Sequence, residues 1–210
     1  MKGVAIVGKK GGVGKTSLSH LLALGSAWKG TPAYLMHTDD RKPISVNGRP
    51  YMFYDARNPQ TLTTLISAAI NQDGLCVIDS GGNRGEFDMW IAKSVDMVLI
   101  PVTPDPESVC IALEHMASLE SHGAKNVRFL LNMVSSNKNE KNRDQELYFS
   151  KLPTEKVIGE IPKVSAIKRL REEDTNPFLT PPTNVNNASR KLYGIVIKEL
   201  SKLECESIGV

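Results

Sequence analysis

Val4-Ala5-Ile6-Val7-Gly8-Lys9-Lys10-Gly11-Gly12-Val13-Gly14-Lys15-Thr16-Ser17 runs from four apolar residues through a glycine-rich turn into a helical pattern. A buried strand that passes through glycines into a helix is the context a phosphate-binding loop requires. Glycines let the backbone turn its N–H groups inward around an anion, and a helix starting near Lys15 adds the positive end of its dipole. In such a loop Lys15 neutralises the β- and γ-phosphates of a nucleotide, and the Thr16 hydroxyl ligates Mg²⁺. A turn carrying a merely solvated lysine is the weaker reading, because with Gly near 7% the full pattern arises by chance only about once in tens of thousands of such chains.

Outward from this loop, short apolar runs alternate with helical patterns. Strands are expected at Val4 to Val7, Ala33 to Met36, Met52 to Tyr54, Leu75 to Ile78, Met97 to Val102, Val127 to Asn132 and Val157 to Ile161. Most are continuously apolar rather than alternating, as strands covered on both faces are. Helices are expected at Lys15 to Trp28, Gln60 to Asn71, Glu107 to Ser121, Gln145 to Leu152, Ala166 to Glu172 and Ala188 to Leu203. This alternation predicts an α/β fold, a doubly wound, mostly parallel sheet with helices on both faces, formed as one domain over residues 1–210. The apolar-free stretch Ser135 to Asp144 reads as an exposed loop. Thr175 to Asn187, with three prolines and four asparagines, reads as neither helix nor strand. Ligands in such folds bind at the loops beyond the carboxyl ends of the strands.

Composition narrows the classes further. With 40% hydrophobic residues in 210, the chain can bury a core without staples, which excludes disordered and collagen-like proteins. The formal charge of +3 is too small to name a partner, so any nucleic-acid reading rests on where the basic residues cluster. Cys76, Cys110 and Cys205 lack metal-ligand spacing and read as reduced, mostly buried thiols. The absence of a long apolar run or signal-like segment gives a cytoplasmic expectation.

The loop departs from the ordinary pattern where Lys9 stands in place of a glycine. Lys10-Gly11-Gly12-Val13-Gly14-Lys15-Thr16 resembles the deviant Walker A loop of the ParA/MinD ATPases, closest to small plasmid-partition ParA proteins. The resemblance implies a P-loop NTPase fold, ATP and Mg²⁺ as cofactors, and a nucleotide site formed by Lys10, Gly11, Gly12, Val13, Gly14, Lys15, Thr16 and Ser17. It makes Lys10 the signature lysine, which crosses an ATP-sandwich homodimer to the partner's phosphates. His37-Thr38-Asp39-Asp40-Arg41 falls where the family has Asp-x-Asp-Pro-Gln, so Asp39 takes the position that orients the attacking water near the metal. His37 replaces the first aspartate and fits a core or capping residue better than a general base. The adjacent Asp39 and Asp40 repel phosphate unless Arg41 or the metal offsets one of them, which implies slow hydrolysis. Leu75-Cys76-Val77-Ile78-Asp79-Ser80-Gly81-Gly82 resembles the segment in which an aspartate holds Mg²⁺ through water, so Thr16, Asp39 and Asp79 form the metal set. Leu99 to Pro106 is similar to a proline-rich strand exit near which the family places dimer or partner contacts. Asn132 matches the position that reads the adenine edge in relatives, although an Asn ending a strand is also an ordinary turn former.

With the loop so near residue 1, no helix-turn-helix is expected before it, which leaves non-specific DNA binding. Candidates are Lys163, Lys168, Arg169 and Arg171, beside the acidic Glu172, Glu173 and Asp174, and Arg190, Lys191, Lys198 and Lys202 on the last helix. The acidic ending Glu204-Cys205-Glu206 argues against a MinD-like basic membrane anchor. The expectation is a nucleoid-associated ATPase that positions or segregates cargo such as a plasmid, stimulated by a ParB-type adaptor. The alternatives are an enzyme of the cobyrinic-acid-synthase type activating a small carboxylate, a MinD-like positioning ATPase that does not act on DNA, and a module that holds ATP without cleaving it.

Overall fold

Seven strands form one sheet in the order β3-β2-β4-β1-β5-β6-β7, and every neighbouring pair is parallel. The computed structural model describes residues 1–44, 47–69, 71–81, 85–172 and 176–208. The strands are β1 (Lys2–Ile6), β2 (Ala33–His37), β3 (Met52–Asp55), β4 (Leu75–Asp79), β5 (Met97–Val102), β6 (Val127–Val134) and β7 (Val157–Pro162). The helices are α1 (Lys15–Trp28), α2 (Pro59–Ala69), α3 (Gly85–Ser94), α4 (Pro106–Ser121), α5 (Lys138–Leu147) and α6 (Thr183–Ile208).

The continuous apolar character of the inner strands β4 and β5 follows from two covered faces, whereas β3 at the sheet edge is partly exposed. Val4 and Ile6 of β1 join Leu18 and Leu22 of α1 and Leu192 and Val196 of α6 in one cluster. Ala5 and Val7 point the other way, into a second cluster with Leu62 of α2, Ile91 of α3 and Leu119 of α4. Alternate residues of one strand thus fill two apolar layers, and each fully buried aliphatic side chain contributes about 1.5–3 kcal/mol. The layer under α1 is tight at Gly25, where an added Cβ would lie 2.2 Å from the Ser189 carbonyl oxygen of α6.

Several expectations need correction. Helix α3 was not foreseen, because only Asp88, Ile91 and Ala92 of its ten residues are buried, too few to imprint a helical period. Its support is instead electrostatic and local: Glu86 and Asp88 occupy the first turn, Lys93 the last, and Ser80 Oγ donates to Asp88 Oδ1 at 2.5 Å. The polar stretch expected as a loop contains α5, whose first N–H groups at Asn139 and Glu140 are capped by the Asn137 side chain. The helix expected at Gln145 to Leu152 is the end of α5 followed by a 3₁₀ turn at Phe149–Lys151. Ala166 to Glu172 is a 3₁₀ turn at Ser165–Arg169 rather than an α-helix, and α6 begins at Thr183, inside the stretch read as irregular. Only Cys76 of the three free thiols is buried; Cys110, beside Glu114 on the outer side of α4, and Cys205 are exposed. Gly82, Glu173, Asp174 and Thr175 lie outside the described residues. Among the described residues no helix is long and apolar enough to cross a membrane.

Gly25→Ala is expected to push α6 off α1. A destabilisation of about 1–3 kcal/mol, read as a lower midpoint in thermal unfolding, would follow from overpacking at that contact.

Candidate nucleotide site

The loop between β1 and α1 emerges from the middle strand of the sheet. Gly12 and Gly14 adopt φ of 80° and 93°, a left-handed backbone that a larger residue would strain. Among the described residues nothing lies within 4 Å of a Cβ built on Gly11 or Gly12, so the space beside these two residues is open. Gly14 begins α1 without a side-chain cap, and no acidic residue occupies the first turn. The helix therefore presents uncompensated N–H groups and positive dipole toward the cleft, which is an anion site by construction.

Lys15 Nζ donates to the Lys10 carbonyl at 3.1 Å and so lies folded across the loop it would share with phosphate. Burial lowers its amine, and Asp79, Asp39 and Asp88 only partly oppose that. The Lys10 ammonium bonds the Asp105 carboxylate and lies 2.9 Å from Glu107 Oε2. Burial works to lower the Lys10 amine, but its bonds to Asp105 and Glu107 outweigh this and raise it. These two partners were missed from sequence. They stand 95 and 97 residues away, and only the pairing of β5 beside β1 brings them to the loop.

The metal candidates converge from three elements. Asp79 ends β4 opposite Ile6 of β1 and His37 of β2, and it is 1% exposed. Its carboxylate accepts from Ser19 Oγ at 3.3 Å and lies 3.2 Å from His37 Nδ1. His37 Nε2 lies 3.0 Å from the Arg41 carbonyl. A carbonyl and a carboxylate are both acceptors, so donation from both ring nitrogens requires the imidazolium. Burial lowers the His37 value, yet the bonds to Asp79 and Arg41 prevail and raise it. His37 is thus a buried bridge between Asp79 and the segment after β2, in line with its reading as a core residue.

Asp39 accepts from the Arg41 N–H at 3.1 Å and sits against Gly81, where a Cβ would come within 3.0 Å of the Asp39 Cα. The segments after β2 and β4 therefore touch backbone to backbone. Among the described residues no three His, Cys, Asp or Glu side chains form a metal cage. The donors fit Mg²⁺ of the substrate-bridged kind, which takes one or two protein oxygens plus phosphates and waters. Thr16 and Asp39 line the cleft, whereas Asp79 does not line it and accepts from Ser19 of α1.

The cleft has a volume of about 320 Å³. Besides the loop, it is lined by Arg41, Met133, Ile167, Lys168, Leu170 and Arg171. Arg171 Nη1 donates to the Lys42 carbonyl at 3.3 Å, joining the two walls. Lys168 and Arg171, read from sequence as a DNA surface, thus stand at the cleft beside the loop. Arg169 is exposed and does not line it. Arg190, Lys191, Lys198 and Lys202 are exposed on α6; Lys191 is 3.7 Å from Glu160 and Lys202 is 3.7 Å from Glu206. Beside the cleft a narrower cavity of about 130 Å³ is walled by Leu18, Leu21, Ile161, Pro162 and Val164 and reaches Asn132 and Lys163. Asn132 Nδ2 donates to the Val13 carbonyl at 2.7 Å, so this part of its amide holds the loop.

The fold is one shared with P-loop NTPases of the MinD and ParA type. Over 96% of this chain and 98% of the other, it matches the septum site-determining protein MinD of Pyrococcus horikoshii, solved with Mg-ADP, at TM-score 0.70 and 15% identity. A putative plasmid partition protein of Borrelia burgdorferi bound to AMPPNP matches at TM-score 0.67 and 16% identity, over 94% and 99% of the chains. Cobyrinic acid a,c-diamide synthase of Mycobacterium smegmatis, with ADP and magnesium, matches at TM-score 0.65 and 12% identity, over 96% of each chain. No protein-family model matches the sequence, and no curated protein matches it in sequence.

Behind the loop, His115 of α4 is 3% exposed, its Nδ1 has no hydrogen-bond partner among the described residues, and burial with help from Lys9 and Lys15 pushes it down to about 4. The unfolded chain then binds a proton near pH 6.5 that the folded chain refuses, so stability falls as pH drops from about 6.5 toward 4. In chemical denaturation at pH 7 and pH 5, His115→Gln is expected to lose less stability on acidification than the wild type.

Proposed function

We propose that this chain is an ATPase of the ParA/MinD type, in which ATP with Mg²⁺ closes two copies around two nucleotides and hydrolysis releases them. The observation that carries this reading is the Lys10–Lys15 loop, set on a bare helix start at the centre of a MinD-like sheet. Lys15 leaves the Lys10 carbonyl to neutralise the β- and γ-phosphates, and the loop N–H groups take the remaining oxygens. Mg²⁺, when bound, offsets phosphate charge; Thr16, Asp39 and Asp79 are the residues that would hold it. Asp39, steadied against Gly81, orients the attacking water. Phosphoryl transfer has a loose transition state, so position and charge supply most of the catalysis. The carboxylates of Asp39 and Asp40 beside the phosphates keep turnover slow until a partner protein of ParB type acts.

In this reading the closed pair binds DNA without sequence preference through Arg190, Lys191, Lys198 and Lys202 of α6 and through the exposed Lys163 and Arg169. The setting is cytoplasmic and nucleoid-associated, and the cargo is a plasmid or comparable body. A second reading, an enzyme that activates a small carboxylate, draws on the likeness to the cobyrinic acid a,c-diamide synthase. That structure is covered to 96% by this chain, so size does not separate the two. A carboxylic acid that stimulates ADP formation by the single chain would favour the second.

Sedimentation with ATP, ADP, a non-cleavable analogue or no nucleotide tests the first reading. The wild type is expected to dimerise only with the triphosphates. Lys15→Ala is expected to lose nucleotide binding by at least tenfold, whereas Lys10→Ala keeps binding and loses dimerisation. ATP is expected to raise DNA retention at low salt, with affinity falling by a log–log slope of about 0.9 per phosphate contact. A wild type that stays a single chain with the analogue overturns the reading.

A further inference from the structure

The cleft gathers more positive charge than its loop supplies. Lys9, Lys15, Arg41, Lys168 and Arg171 line it, and Asp39 is the carboxylate among its lining residues. Like charges around one opening repel one another unless an anion sits between them. Burial lowers the Lys15 amine, and Arg41 adds to that against the pull of Asp79, Asp39 and Asp88, so the charge of Arg41 is felt at the loop. The cations divide by place. Lys168 also lines the narrower cavity of Leu18, Leu21 and Ile161, which Asp39 and Arg41 do not line. Arg171 gives Nη1 to the Lys42 carbonyl, and Lys9 also borders a small cavity with Ile111 and His115 of α4. Arg41 is placed differently. Its N–H donates to Asp39 Oδ1 at 3.1 Å and its carbonyl accepts from His37 Nε2 at 3.0 Å, so its backbone is pinned on both sides. Its guanidinium, on an exposed residue, has no hydrogen-bond or ion-pair partner among the described residues. Asp39 lies against Gly81, which sets Arg41 where the segments after β2 and β4 meet.

We propose that Arg41 is a specificity-determining phosphate ligand, whose guanidinium takes the terminal phosphoryl group of a nucleoside triphosphate and so separates triphosphate from diphosphate. The inference rests on the ATPase reading above and adds how the site tells ATP from ADP. Asp39 marks the end of the cleft given to the attacking water, and that is the end at which the terminal phosphoryl group lies. A carboxylate there opposes the phosphate, and a cation anchored two residues away offsets it. The planar fork of arginine suits two phosphate oxygens at once, which a lysine cannot match. A diphosphate has no group at that place, so Arg41 gains nothing from it. For an exposed side chain the lower end of the range for charged hydrogen bonds applies, about tenfold in affinity.

The test is calorimetric titration of the full chain with ADP and with a non-cleavable ATP analogue, both with Mg²⁺. Arg41→Ala keeps the backbone bonds of residue 41, and an unchanged thermal midpoint verifies the fold. Its affinity for the analogue is expected to fall about tenfold and its affinity for ADP by less than about twofold, so that the ratio carries the loss. Arg41→Lys, which keeps the charge without the fork, is expected to recover part of that ratio. The same fall is expected in a Lys10→Ala background. Equal losses for the two nucleotides, or no loss, overturn the assignment. So does a ratio that falls only where Lys10 is present, because association of two chains would then be the cause. A ratio that falls with Lys168→Ala rather than Arg41→Ala overturns it as well. If the wild type binds neither nucleotide, the ATPase reading falls and takes Arg41 with it. A wild type that binds both, beside an Arg41→Ala chain with an unmoved ratio, removes Arg41 alone.

Discussion

Asp79 is paired in register with Ile6 on one side and with His37 on the other, and that alignment of β1, β2 and β4 is what the site depends on. Because the ladders are parallel, all three strands end at the same edge, and each chain exit there starts a crossover. The glycine-rich loop leaves after Ile6, and the carboxylate that closes β4 lies within hydrogen-bond reach of the imidazole that closes β2 and of Ser19 in α1. A slip of one residue would turn Asp79 to the other face of the sheet and drive apolar side chains into the cleft. The two apolar layers forbid such a slip, since Val77 belongs to one and Ile78 to the other. The core thus sets the chemistry at the edge.

The charges of the cleft are paired with groups of the protein itself. Lys15 lies on a backbone carbonyl, Lys10 on Asp105 and Glu107, and His37 between Asp79 and Arg41. Gly81 and Asp39 touch through their backbones, so the segments after β4 and β2 cannot move independently at that point. Arg171 ties the wall after β7 to the Lys42 carbonyl.

All seven strands and the long helices α1 and α4 were legible in the sequence. The inner strands, buried on both faces, read as unbroken apolar runs, the edge strands β3 and β7 as short runs of apolar and aromatic residues, and helices packed along their length as periodic ones. The elements that escaped were those whose stability does not come from a wide apolar face. Helix α3 buries three residues, and α5 buries only Asp144 and begins on an Asn cap. The exposed Cys110 and Cys205 escaped for the converse reason: cysteine is usually buried, and neither site is.

The sequence alone determined the loop, because its requirement is local: glycines at left-handed backbone positions and a helix start free of acid are properties of consecutive residues. Tertiary structure alone decided where the charges went. Lys10 meets Asp105 only because β5 lies against β1, and Lys168 and Arg171 face the cleft only because the segment after β7 folds back over α1. Coulomb attraction acts through space rather than along the chain. Which cation finds which anion is therefore written in the order of the strands and not in the spacing of the residues.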